Sequence, residues 1–388
     1  MHPAPKFTYF LAHDLPVLKD SELWMAPVPL DRNAFQPQSR RIPKFAVRYG
    51  DYFTLARDFL KKNEFEILKR GLKSRFKRDI ASKDIQEIHI HLEKHGPLYH
   101  PARVVAYVHG EKHALVLNVA ISEAGKSCLL REYETIEKLN KIFPLGFLPD
   151  VYGFGEAATQ DRLNASMFLG GWFEGYNEFH ITQDTSSGFK KLAVWDPRRG
   201  RVPLSKAQEI EIYRKAALIL TCYFNIETCE QIFPWYHAAG DFVVGQSDGR
   251  LDVRLITARR YMPLTEGAAE SPESILQALL LFFLDLSIRM RQDRLDGVGD
   301  LVWTAETAAE GALNGFFQGL AQKPSMPALF PDPLVECFWD YLSSWPEIYL
   351  FDFSEILMEL YHPASPEVLL IKQNMKDHIH FIYRTIHI

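Results

Sequence analysis

EIHIHLEKHGPLYHPARVVAYVHGEKHALVLNVAIS, residues 87–122, alternates β-branched and apolar side chains with polar ones and breaks at His95-Gly96-Pro97 and at His109-Gly110-Glu111. A period of two interrupted by such turns predicts three antiparallel strands, each with one face toward a core. His89 and His91 stand two apart and share a face of the first strand. That spacing suits a metal, yet no third ligand accompanies them, so no metal site is expected there.

Downstream, SCLLREYETIEKLNKIF (residues 127–143) repeats apolar residues at helical spacing, through Leu129, Leu130, Tyr133, Ile136 and Leu139. Residues 147–157 and 166–181 read as two more strands, the second carrying Gly170, Gly171 and Gly175. The expectation is α+β: a five-stranded antiparallel sheet with one helix inserted between its third and fourth strands. Upstream, the first 50 residues hold seven prolines and the basic step Arg40-Arg41, and read as an irregular arm. Residues 52–76 form an amphipathic helix that the polar step Lys61-Lys62-Asn63 is placed to break. Its end, KRGLKSRFKR (residues 69–78), is either a solvated face or a surface for an anionic partner.

The remainder reads as mainly helical. Helices are expected over residues 207–223, 272–292, 304–322, 333–341 and 366–386, with two short strands, 242–244 and 251–257, around Gln246-Ser247-Asp248-Gly249. The resulting division is an N-terminal arm and helix (1–84), a sheet-rich lobe (85–182) and a helical lobe (183–388). The chain is long enough for that, and 44 basic against 49 acidic residues give a net charge of −5 over 388 residues. Weak acidity argues against a dedicated nucleic-acid binder, which needs a basic face to displace counterions. Four cysteines without close pairing predict free thiols in a reducing cytoplasm. No signal peptide is evident, and the most apolar run, residues 275–288, is too short to span a bilayer and contains Asp285.

A hairpin with glycine at its turn, a third strand, a helix, two strands and a helical half with its own short hairpin: this order resembles the protein-kinase-like fold, in particular its aminoglycoside and small-molecule phosphotransferase branch. The similarity spans about residues 85–388. It implies ATP and Mg²⁺ as cofactors and a cleft between two lobes. The phosphate-covering turn then falls at Gly96, the helix glutamate at Glu132, and the adenine-contacting linker at Trp172-Phe173-Glu174-Gly175-Tyr176. The position of the lysine on the third strand is held by Asn118, which carries no charge.

IFPWYHAAGDFVVGQSDGRLDVRLITARRY (residues 232–261) looks like the family's catalytic loop, hairpin and metal-binding strand end. Two registers fit. In one, Asp241 is the base and the loop after it is lost. In the other, which keeps every element's length, Asp241 replaces the metal-binding asparagine and the base position falls on Tyr236 with His237 beside it. Thr257 then replaces the metal aspartate, and Arg259 and Arg260 follow as candidate phosphate ligands. The alternative for the whole loop is a buried polar network of His237, Asp241 and Thr257.

Because phosphoryl transfer depends on positioning and on neutralising charge, these replacements favour a degenerate kinase-like protein, a possible pseudokinase, that binds a nucleotide or small phosphorylated ligand. The competing readings are an active phosphotransferase or nucleotidyltransferase with Asp241 on the metal, His237 as base and an arginine in place of the lysine, and a non-catalytic interaction protein with a protein partner. No membrane association is expected.

Overall fold

The computed structural model describes residues 4–11, 14–29, 47–96, 98–160, 163–183, 188, 190–236, 240–247, 249–264 and 271–387. Pro97, His237, Asp248 and the Arg40-Arg41 step lie outside them. The chain divides into two compact units, Met1–Glu174 and Gly175–Ile388.

The first unit runs β1 (Lys6–Leu11), β2 (Leu15–Pro16), α1 (Glu22–Met25), α2 (Tyr49–Phe76), β3 (Ile85–Leu92), β4 (His100–Val108), β5 (Glu111–Ala120), α3 (Glu123–Ile142), β6 (Val151–Ala158) and β7 (Asn164–Gly171). Its sheet has seven strands in the order β2-β1-β3-β4-β5-β7-β6. The five expected strands were an undercount, because the arm contributes two. KFTYFL pairs with β3 in parallel, Phe7 opposite Ile88 and Tyr9 opposite Ile90, whereas the other pairings in this sheet are antiparallel. A parallel partner far along the chain leaves no local turn to betray it. Tyr9 is anchored by the rings of Phe53 and Trp24 at 5.0 and 5.4 Å.

Two helices take opposite faces of the sheet. Phe59, Leu60, Leu68 and Leu72 of α2 join a buried cluster with Ile88, Ile90, Leu115, Leu117 and Leu169. Glycines let α2 come close: a Cβ on Gly153 would lie 3.1 Å from Ile67. The polar step does break α2, since Lys62 is extended and Asn63, Glu64 and Phe65 have positive φ. On the other face, Tyr133 of α3 packs on Phe154 and Phe168, with ring centroids 5.7 and 5.9 Å apart. β7 ends at Gly171, so the long strand expected through Ile181 is two separate strands; Gly175 between them has φ +79°.

The second unit opens with β8 (Phe179–Gln183), β9 (Lys190–Asp196) and β10 (Gly200–Pro203), an antiparallel three-stranded sheet absent from the sequence reading. Then come α4 (Lys206–Tyr223), β11 (Glu230–Ile232), β12 (Phe242–Ser247), β13 (Arg250–Leu255), β14 (Tyr261–Pro263), α5 (Pro272–Met290), β15 (Gln292–Arg294), β16 (Leu301–Trp303), α6 (Glu306–Leu320), α7 (Leu334–Ser343), α8 (Glu347–Ile356) and α9 (Pro366–Ile386). The expected hairpin is β12-β13, and β11-β14 and β15-β16 add two-stranded ribbons.

Helix α5 is buried almost all round from Leu279 to Met290, as its lack of a polar face requires. Helix α6 meets α4 through a glycine stripe. A Cβ on Gly311 would fall 2.6 Å from Tyr213 Cβ, on Gly315 2.0 Å from the Arg214 carbonyl oxygen, and on Gly319 2.7 Å from Thr221 Cβ. Among the described residues no helix is long and apolar enough to cross a membrane.

Candidate functional site

In the first unit, the β3–β4 loop that carries Gly96 is drawn onto α3. Ser122 caps α3 by accepting from the Gly125 N–H at 3.1 Å, and a Cβ on Gly125 would lie 2.1 Å from the Leu98 carbonyl oxygen. Only glycine permits that approach. One residue on, the Tyr99 hydroxyl donates to Glu132 Oε1 at 3.3 Å, and Glu132 is 1% exposed. The loop base is held by His95 and His100, 3.4 Å apart through their Nδ1 atoms, and burial together with His95 lowers the His100 pKa to about 4. Gly96 itself sits under the Tyr99 carbonyl, 2.6 Å from a notional Cβ.

Asn118 lies on β5 opposite Phe168 of β7. Cross-strand partners share a face, so Asn118 is on the α3 side of the sheet with Tyr133, and it is buried. A lysine there would have to shed most of its hydration, whereas an amide needs only hydrogen bonds.

Trp172 and Glu174 follow β7. The Arg103 guanidinium lies over the Trp172 ring, 6.0 Å from its centroid, and bridges to Glu93 at 2.7 Å and Asp14 at 3.5 Å. His91 meets the same Asp14 carboxylate at 2.9 Å, and Phe10 stacks on the imidazole at 4.4 Å. Both histidines of the first expected strand are therefore spoken for by local contacts, His89 by Glu87 at 3.0 Å. Glu174 is exposed.

In the second unit, Asp241 is the centre of a tight loop. Its carboxylate is about 1% exposed and is forked by Arg259, Nη1 to Oδ2 at 2.5 Å and Nη2 to Oδ1 at 2.6 Å. The Tyr236 N–H donates to Oδ2 at 2.7 Å, and the Asp241 N–H returns to the Tyr236 carbonyl at 3.3 Å. Ile256 N–H donates to the Asp241 carbonyl at 2.8 Å, so the loop, β12 and the end of β13 are one bonded unit. Phe242 pairs with Leu255, which places the buried Thr257 just beyond the ribbon. A bidentate arginine–carboxylate pair is the strongest geometry available to these groups. Both oxygens of Asp241 accept from the guanidinium, so an ion at this carboxylate would share it with that charge. Among the described residues no group of three or more His, Cys, Asp or Glu is placed to hold a metal.

Two sets of residues around this loop carried no expectation. Arg289 of α5 is pinned by Asp285, with Nε 2.9 Å from both carboxylate oxygens, and stacks under Phe233, Tyr236 and Tyr361 at 4.7, 5.4 and 4.8 Å. Burial alone would lower the guanidinium pKa, but Asp285 and the two phenols outweigh it and hold it above the ordinary value. The second set is His180, 3.5 Å from Glu178 and 3.6 Å from Asp293. Burial opposes its charge, yet the pull of the Asp293 and Glu178 carboxylates wins and raises its pKa to about 9. Gly240, with φ +74°, passes so close to Glu178 that a Cβ would lie 2.8 Å from the carboxyl carbon. The alternation Glu178-Phe179-His180 carried the signal for this cluster, since residues two apart on a strand share a face.

Asn118 and Glu132 thus belong to the first unit, and Asp241, Thr257 and Arg259 to the second. No family model matches the chain, and no curated protein matches it. Among solved structures it is similar to WaaP in complex with acyl carrier protein, with 12% identity and a TM-score of 0.31 over 67% of this chain and 86% of that one. That overlap is too slight to establish a shared fold.

Proposed function

We propose that the chain is a kinase-like protein that has given up phosphoryl transfer and retains the binding of a nucleotide or small phosphorylated ligand. The observation that carries this reading is the Arg259 fork on Asp241. Catalysis of transfer requires carboxylates that hold metal against the phosphates. Here the carboxylate assigned to that duty is neutralised within the fold by an arginine. Two further features support the reading: Asn118 brings no charge to the lysine position, and Glu132 accepts from the Tyr99 hydroxyl.

The test is thermal shift with ATP, with and without Mg²⁺, alongside ADP release. Stabilisation by ATP that is indifferent to Mg²⁺, with no ADP formed, is expected. ADP formation that disappears in Asp241→Asn would overturn the proposal in favour of an active phosphotransferase. No shift with ATP under either condition would favour an interaction protein instead.

A further inference from the structure

A cleft of about 260 Å³ opens in the first unit between the end of α2, the start of β5, the loop before β6 and the end of β7. It shares Trp172 and Phe173 with the segment assigned above to adenine contact, but none of the Asn118, Glu132 or Asp241 chemistry. Three kinds of group line it. Arg75 stands at the rim, exposed, and among the described residues no carboxylate pairs with it. Beside it is His113, whose pKa is lowered to about 4 by burial and by Arg75, so the imidazole is neutral and offers an N–H. Asp150 lines the cleft as well, within 3.5 Å of the Ser74 hydroxyl.

The remaining walls are apolar or aromatic: Leu148, Tyr152, Trp172 and Phe173. Gly171 also lines the cleft, and a Cβ there would sit at an ordinary 3.6 Å from both the Asp150 nitrogen and the Tyr152 hydroxyl. The missing side chain is therefore not demanded by crowding; the position leaves the cleft open.

A guanidinium with no carboxylate paired to it among the described residues, a carboxylate elsewhere in the lining and an aromatic wall around a space this size describe the complement of a small zwitterion. We infer that the cleft binds a free α-amino acid with an aromatic side chain, its carboxylate meeting Arg75 and His113, its ammonium meeting Asp150 and its ring lying against the aromatic wall. A volume of about 260 Å³ lies just below the usual range of ligand sites and suits nothing larger than a single ring with a short polar end. The basic run over residues 69–78 adds long-range attraction for the carboxylate.

Isothermal titration calorimetry of the full chain with L-phenylalanine, phenylpropionate and phenethylamine tests this. Binding of phenylalanine is expected, with each analogue, lacking one charge, at least tenfold weaker. Arg75→Glu, at an exposed position that pairs with no carboxylate among the described residues, is expected to abolish binding, and Gly171→Leu to block it by filling the cleft. Absence of phenylalanine binding at millimolar concentration, equal affinity for either analogue, or undiminished binding in Arg75→Glu would each overturn the inference. Should Gly171→Leu fail to fold, Arg75→Glu and the analogue series still decide it.

Discussion

Arg259 closes on Asp241 across eighteen residues of chain and takes both oxygens of a carboxylate that is almost fully buried. The pair fastens the loop after β11 to the end of β13, so its first consequence is mechanical. Arg259 keeps about a quarter of its side chain in solvent, at 24%. Removing one partner of a buried pair costs about 3–5 kcal/mol, and this exposure reduces the expectation to about 2–3 kcal/mol for Asp241→Asn. Urea denaturation measures it. A loss smaller than about 1 kcal/mol would mean that the two backbone hydrogen bonds, and not the ion pair, hold the loop.

Asn118→Lys tests the register of the third-strand lysine. If that position faces a phosphate group, the variant will show a larger thermal shift with ATP than the parent chain. Lower stability with no gain in ATP response would show that the site on β5 is only a buried amide position.

Histidine titration sets the pH profile of stability. His180 has a folded pKa of about 9, above the ordinary 6.5, so its contribution is complete below pH 6.5 and is lost as pH rises through 9. His91, His100 and His113 have folded values near 4, and His378 near 3, so the unfolded chain binds more protons below pH 6.5 and stability falls as pH drops toward 4. The histidine contribution to the urea midpoint is expected to peak close to pH 6.5–7, and above pH 8 Lys323, whose pKa burial lowers to about 8, opposes the alkaline fall. In His180→Gln the alkaline limb should flatten while the acid limb stays; an unchanged alkaline limb would remove His180 from the account.

Gly315→Ala is expected to destabilise the second unit although alanine is the better helix former. Its methyl group would meet the Arg214 carbonyl at 2.0 Å, and overpacking of this kind costs about 1–3 kcal/mol. A rise in melting temperature would show that α4 and α6 can separate without penalty.

What the sequence revealed follows from the range of each signal. The β3–β4–β5 alternation and the apolar stripe of α3 are local, and both elements lie close to where periodicity puts them. The break in α2 was legible for the same reason. β1 was not, because its partner is remote and its six residues sit among prolines. Gly311, Gly315 and Gly319 recur every four residues in plain view, yet helical periodicity weighs apolar residues and passes over a stripe that has no side chains at all. Asp241 and Arg259 were each singled out, one for a metal and one for phosphate. Composition cannot reveal that the two satisfy each other; only a fold that brings residue 259 back to residue 241 can.

The parallel pairing of β1 with β3 also bears on how the protein is made. KFTYFL leaves the ribosome about eighty residues ahead of the strand it joins, and contacts so far apart form late. Until then the segment is a strand without a mate and β3 keeps a bare edge. Closing that seam therefore spans more chain than any other strand pairing in the sheet, and its entropy cost falls on the N-terminal segment alone.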